Sequence, residues 1–161
     1  MIVGIFDHKV SPNQRYRESP LLFWAMVTTG ARRYTRDPTV YERLSKCITD
    51  LALSSLCQTA NAVPVLQALV IICTWPVPMD TLYKDPSHAL AGAGMHMAIQ
   101  NGLHVFCHEE DFAKQPSRRQ AHAELPSTQQ AYTLGRRYTD PEIHFRTCLW
   151  AHCLITFQRY A

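Results

Sequence analysis

The residues best equipped for chemistry gather between positions 104 and 111, where His104, Cys107, His108, Glu109, Glu110 and Asp111 bring imidazole, thiol and carboxylate together. His104 and His108 have the i, i+4 spacing that places two ligands on one face of a helix. The residues between them are Val105, Phe106 and Cys107, so the His-Glu-x-x-His arrangement of zinc hydrolases is not present. Asn101-Gly102 also closes the helix just upstream, which removes the register such a site needs. A polar loop leaving a helix end is the favoured reading. Cys107 beside His108 is the best thiol for nucleophilic work. Adjacency in sequence does not supply the base-to-thiol geometry that a thiolate requires. Cys148 and Cys153 flank His152 within one apolar helical pattern and read as packing residues. Met95-His96-Met97 offers soft metal ligands, but on a helix its two thioethers point apart. Neither a Gly-x-Ser-x-Gly elbow nor a phosphate-cradling glycine loop occurs, and the chain holds only 6 glycines. No reaction centre emerges, and a non-enzyme is expected.

Composition supports that reading. The chain has 161 residues, 47% of them apolar and 18% charged, enough for one cored domain or part of a larger one. Its formal charge is +3, from 16 Lys+Arg against 13 Asp+Glu. The basic residues are dispersed, which argues against direct contact with DNA by this chain alone. The 6 cysteines contain no Cys-x-x-Cys pair, so reduced core thiols are expected rather than zinc or disulfides. The opening residues lack the basic start of a signal peptide, and the most apolar run, Val63 to Trp75, is well short of the ~20 residues of a membrane span. A soluble intracellular chain is expected.

Four elements begin alike, at Ser19-Pro20, Asp37-Pro38, Asp85-Pro86 and Asp140-Pro141. An oxygen-bearing side chain caps the free N–H groups of a helix start, and proline at the first position has no N–H to leave unpaired. Helices are therefore predicted from Pro20 to about Ala31, from Pro38 towards Leu56, from Pro86 to Asn101 and from Pro141 onward. A fifth, Val63 to Trp75, is apolar nearly all round and is ended by Pro76-Val77-Pro78. Val40, Leu44, Cys47, Ile48 and Leu51 fall on one face of the second. In the fourth, Gly92 and Gly94 suggest close approach by another helix, since glycine costs roughly 1 kcal/mol against alanine there. Gly102 supplies a left-handed cap and Leu103 its apolar contact. The expected fold is all-α, an array of packed antiparallel helices. Trp24, Trp75, Met95, Leu103, Leu149 and Trp150 are expected in its core. Residues 1–18 read as an N-terminal extension and 104–140 as a mobile surface loop. The last helix shows no closing glycine, so 19–161 reads as an incomplete part of a larger helical domain. Glu142 and Arg146 are an i, i+4 pair, and the arginine, among apolar neighbours, is expected to tie its helix to another's carbonyl end.

Several segments together carry a family resemblance. They are Ser19-Pro-Leu-Leu-Phe-Trp24-Ala-Met-Val, Gly30-Ala-Arg-Arg-Tyr, Val65-Leu-Gln-Ala-Leu-Val-Ile-Ile-Cys-Thr-Trp-Pro, Gly92-Ala-Gly94-Met-His96-Met-Ala-Ile-Gln-Asn-Gly102-Leu103-His104 and Glu142-Ile-His-Phe-Arg146-Thr-Cys-Leu149-Trp150. In order and spacing they resemble the fungal transcription factor regulatory domain, the middle homology region of binuclear zinc-cluster regulators. The Ser-Pro-x-x-Phe-Trp and Cys-Thr-Trp-Pro elements are similar to the branch that controls amino-acid biosynthesis, weak-acid response and secreted proteases. The resemblance covers about Ser19 to Arg159, with 113–139 unmatched. It implies a nuclear regulator of transcription whose full-length members bind DNA through an N-terminal zinc-cluster module. It also implies protein partners or self-association, and room for a small-molecule effector. This chain carries no such zinc module, so no cofactor and no direct DNA contact are expected of it. Two other readings stand beside this one: a non-catalytic helical interaction scaffold, and a small metal- or thiol-dependent enzyme.

Overall fold

The computed structural model describes residues 4–7, 9–57, 61–79, 81–105 and 141–160. Among these the fold is all-α. The helices are α1 (Pro12–Glu18), α2 (Pro20–Ala31), α3 (Pro38–Ser55), α4 (Ala62–Thr74), α5 (Ser87–Gln100) and α6 (Pro141–Phe157). Short turns of tighter helix run over Leu82–Lys84 and Gln158–Tyr160. The capping logic holds in atomic detail at Ser19 and Asp37, whereas α5 starts at Ser87 with Pro86 at its cap position and Asp140 lies outside the described residues. The Ser19 hydroxyl accepts from the Leu22 N–H at 3.2 Å, and the Asp37 carboxylate accepts from the Thr39 N–H at 3.0 Å. Asp85 accepts from the Ser87 N–H at 2.9 Å. Ser11-Pro12 carries the same signature, and its serine accepts from Gln14 at 3.3 Å to start α1. That helix is additional to the five read from the sequence; at 7 residues it has no apolar period to announce it.

α4 is the centre. Ten of its residues are buried, including Leu66, Ala68, Leu69, Val70 and Cys73 at full burial. It packs against α2, α3, α5 and α6, while α1 lies on α2. Burying an apolar helix on all sides removes several large side chains from water, at ~1.5–3 kcal/mol each. Its one internal polar side chain, Gln67, is only 6% exposed and donates to the Ile5 carbonyl. Ile5 is itself fully buried, so the residues before α1 contribute to the core.

Core membership divides the expected set. Leu103 and Leu149 are buried, and Met95 and Trp150 are partly buried against the core. Trp24 and Trp75 are corrections, 37% and 40% exposed. The apolar face of α2 is wider than α3 and α4 cover, so Trp24, Met26 and Val27 stay at the surface. The expected loop of 104–140 lies outside the described residues after Val105.

Candidate functional site

The two segments richest in motif residues meet along one seam. On α5 the buried positions are Leu90, Ala91, Gly94, Met97 and Ala98, a helical stripe. On α6 they are Leu149, Cys153, Thr156 and Phe157, another. These helices pack on each other and on α4. Gly94 sits where the stripes cross. A Cβ there would lie 2.6 Å from Cζ and 2.9 Å from Cε2 of Phe157, and 3.3 Å from Cδ1 of Leu69. Hydrogen alone fits, because the Phe157 ring occupies the space a methyl group needs. Gly92 differs and corrects the expectation for it. It is exposed, with nothing within 4 Å of an added Cβ, so close helix approach accounts for one glycine of the pair.

The C-terminal end of α5 forms the second part of the seam. Gly102 adopts φ 67°, and its N–H bonds to the Ile99 carbonyl at 2.9 Å. The Leu103 N–H returns to the Ala98 carbonyl at 3.1 Å, completing a Schellman closure that turns the Leu103 side chain into the core. The carbonyls of Asn101 and Gly102 then point outward, at the helix end that carries partial negative charge. Arg146 of α6 meets them, its guanidinium donating to Asn101 O at 3.3 Å and to Gly102 O at 3.4 Å. One helical turn further on, the Trp150 ring lies 6.0 Å from that of His104, centroid to centroid. Arg146, Trp150, Gly102, Leu103 and His104 are therefore brought together, with Leu149 buried beneath them. Glu142 is exposed in the first turn of α6, and His96 is exposed on α5. Trp24 is not part of this seam; it lines a groove between α2 and α3.

The chemistry of the seam is that of packing and hydrogen bonding. Burial pushes the thiols of Cys73 on α4 and Cys153 on α6 up to about 12, the Asp85 carboxylate adding to the effect on Cys73. Neither is a thiolate at neutral pH, so neither is a nucleophile there. Among the described residues no three His, Cys, Asp or Glu side chains gather to hold a metal ion. His104 is the one histidine of the 104–111 cluster within them. No described helix is long and apolar enough to cross a membrane.

The fungal specific transcription factor domain matches residues 5–155. The chain belongs to that family. Its similar relatives include the transcriptional regulatory protein SEF1 of Candida albicans, 33% identical over 95 residues, which is 58% of this chain and 10% of that protein. The SEF1 proteins of Kluyveromyces lactis and Saccharomyces cerevisiae are each 34% identical, over 95 and 90 residues, covering 58% and 55% of this chain. The chain thus spans about a tenth or less of the length of these relatives, 8–10%. No solved structure matches it.

Within this fungal transcription factor domain, two contributors to the seam went unread in the sequence. Phe157 lies eight residues beyond Leu149, so the α6 periodicity pointed to it, but nothing in the sequence pairs it with Gly94. Leu69 lies in a helix apolar on every side, where periodicity selects no face.

Proposed function

We propose that this chain is a regulatory module of a fungal transcription regulator, acting in the nucleus through contacts with protein rather than by catalysis. The observation that carries the proposal is the α5–α6 seam. Gly94 against Phe157 is a contact with no slack, and Arg146 donates to two carbonyls at the end of α5. Closely packed interfaces of this kind respond to load by moving between discrete arrangements rather than by deforming smoothly. A signal that displaces α6 would register at the middle of α5 and at its C-terminal end. DNA recognition, and the zinc it requires, belong in this reading to another module of full-length proteins; no cofactor is assigned to this chain. The membership of the family and the SEF1 relatives support a role in transcription over the plain scaffold and enzyme readings.

The test is a graft. This chain replaces the matching segment of the Candida albicans relative, with Gly94→Leu introduced into the graft. Reporter output and promoter occupancy are measured at matched protein level. The expected outcome is altered output with occupancy retained. Unchanged output from a stably expressed Gly94→Leu graft would refute the proposal.

A further inference from the structure

Residues 4–7 have no regular secondary structure, yet Ile5 is fully buried and Phe6 packs against the core. Irregular chain in a core must find partners there for its backbone polar groups. Gln67 supplies one: its side-chain amide, buried in the middle of α4, donates to the Ile5 carbonyl. Left unpaired, that amide would be costly to bury, so α4 is matched to this strap. Asp7 is held in turn by α1, where the Arg15 guanidinium donates to its carbonyl. Gly4, at φ 83°, reaches α6: a Cβ on it would lie 3.8 Å from Cys148 Sγ. The strap therefore bridges α1, α4 and α6.

α6 is held differently at its two ends. Cys153, Thr156 and Phe157, three of its four buried residues, lie towards its C-terminus. Thr156 Oγ1 is 3.4 Å from Thr74 Oγ1 of α4. In the turn that follows, the Tyr160 hydroxyl donates to the Cys73 carbonyl at 2.7 Å, and His88 Nδ1–H donates to the Tyr160 carbonyl at 3.0 Å. The end of α4 and the start of α5 thus grip the C-terminal end of α6. Before Leu149, by contrast, no residue of α6 is buried. Arg146 ties that half to the α5 carbonyls, and Cys148 meets the strap. Residues two apart on a helix point roughly 200° apart, so these contacts lie on opposite sides.

We propose that α6 is a lever that pivots at its C-terminal end, with the strap Gly4–Asp7 as the releasable clamp on its N-terminal half. Docked, the strap backs that half and keeps Arg146 within reach of the Asn101 and Gly102 carbonyls. Released, it frees the less buried half of the helix while Phe157 and Tyr160 hold the other. Segments with few buried contacts are the first to open locally. This inference rests on the regulatory reading for its consequence in transcription, and it names what governs α6. The clamp is read by amide exchange in the chain, the regulatory reading by reporter output, so either can fail alone.

Hydrogen exchange in the 161-residue chain reads the two halves of α6, and alkylation of Cys148 reads release of the strap. Ile5→Ala removes most of the buried side chain. Gln67→Leu removes the bond to the Ile5 carbonyl and keeps α4 apolar and packed. Both should speed alkylation of Cys148 and exchange of amides 145–150. The expected change is about ten-fold in Ile5→Ala and about five-fold in Gln67→Leu, the latter the worth of one net hydrogen bond. Amides 153–157 and alkylation of the buried Cys153 should stay unchanged. Tyr160→Phe should do the reverse, speeding 153–157 and leaving 145–150 as they were. Unchanged exchange at 145–150 in either strap variant would overturn the proposal, whatever Cys148 does. Equal acceleration of both halves would overturn it too, by making the strap ordinary core. So would a Tyr160→Phe chain that loosens the same amides as the strap variants. If Ile5→Ala unfolds the chain, Gln67→Leu decides the matter alone.

Discussion

The α5–α6 seam and the α2–α3 groove are built from similar materials and end in opposite states. Each pairs helices with apolar stripes at helical spacing, and each has a large aromatic residue beside a small one. In the seam, Phe157 is 3% exposed and fills the space above Gly94, leaving no room for a methyl group. In the groove, Trp24 remains 37% exposed and Thr28 keeps an unpaired hydroxyl beside a volume of about 390 Å³. An apolar stripe therefore shows that a helix has something to bury, not that its neighbours bury it. One region is filled; the other is left partly uncovered.

Truncation should separate the two regions most clearly. Leu149 is fully buried, so Leu149→Ala should cost ~2–5 kcal/mol in a denaturant titration of the chain. Trp24→Ala removes a larger side chain yet should cost only ~1–2 kcal/mol, because one face of the ring already meets water. Equal losses would erase the distinction between a filled seam and an open groove. Arg146→Gln should cost ~1–2 kcal/mol, since it weakens the charge-assisted bonds to the Asn101 and Gly102 carbonyls. A smaller loss, within ~0.5 kcal/mol, would make that tie incidental.

Thiol behaviour sharpens the contrast further. Cys73 and Cys153, held near 12 against an ordinary 9.0, should resist alkylation at pH 8 while exposed Cys47 and Cys57 react. The same shift sets a pH dependence. Above pH 9 the unfolded chain releases these protons and the folded chain retains them, so stability should fall as pH rises from 9 towards about 12. Below 9 these two groups should leave stability unchanged. A chain that gains stability between 9 and 12 would show that the thiols are not buried.

Much of the fold was legible because its punctuation is local. Ser19-Pro20 and Asp37-Pro38 specify helix starts through atoms a few residues apart, and Gly102 specifies an end through its own backbone. Ser11-Pro12 carries the same punctuation and started a helix that apolar periodicity could not announce. Arg146 was legible as a tie to a carbonyl end because a charge among apolar neighbours needs a partner. The rest depends on which face meets which. Trp24 has the side chain of a core residue, and the packing of α3 and α4 on α2 leaves it 37% exposed. Gly92 and Gly94 are the same residue two positions apart, and only the placement of Phe157, sixty-three residues later, makes them different. Thr28 carried no signal at all, since an unpaired hydroxyl is a property of surroundings.

The most direct measurement compares those two glycines by denaturant titration of Gly92→Ala and Gly94→Ala. Gly92→Ala replaces an exposed helical glycine where an added Cβ meets nothing within 4 Å, and should stabilise the chain by ~0.5–1 kcal/mol. Gly94→Ala places a Cβ 2.6 Å from the Phe157 ring, and should destabilise it by ~1–3 kcal/mol despite the same gain in helix propensity. Opposite signs would establish the close-packed seam on which the regulatory reading rests. The same sign for both, with Gly94→Ala stabilising, would contradict it.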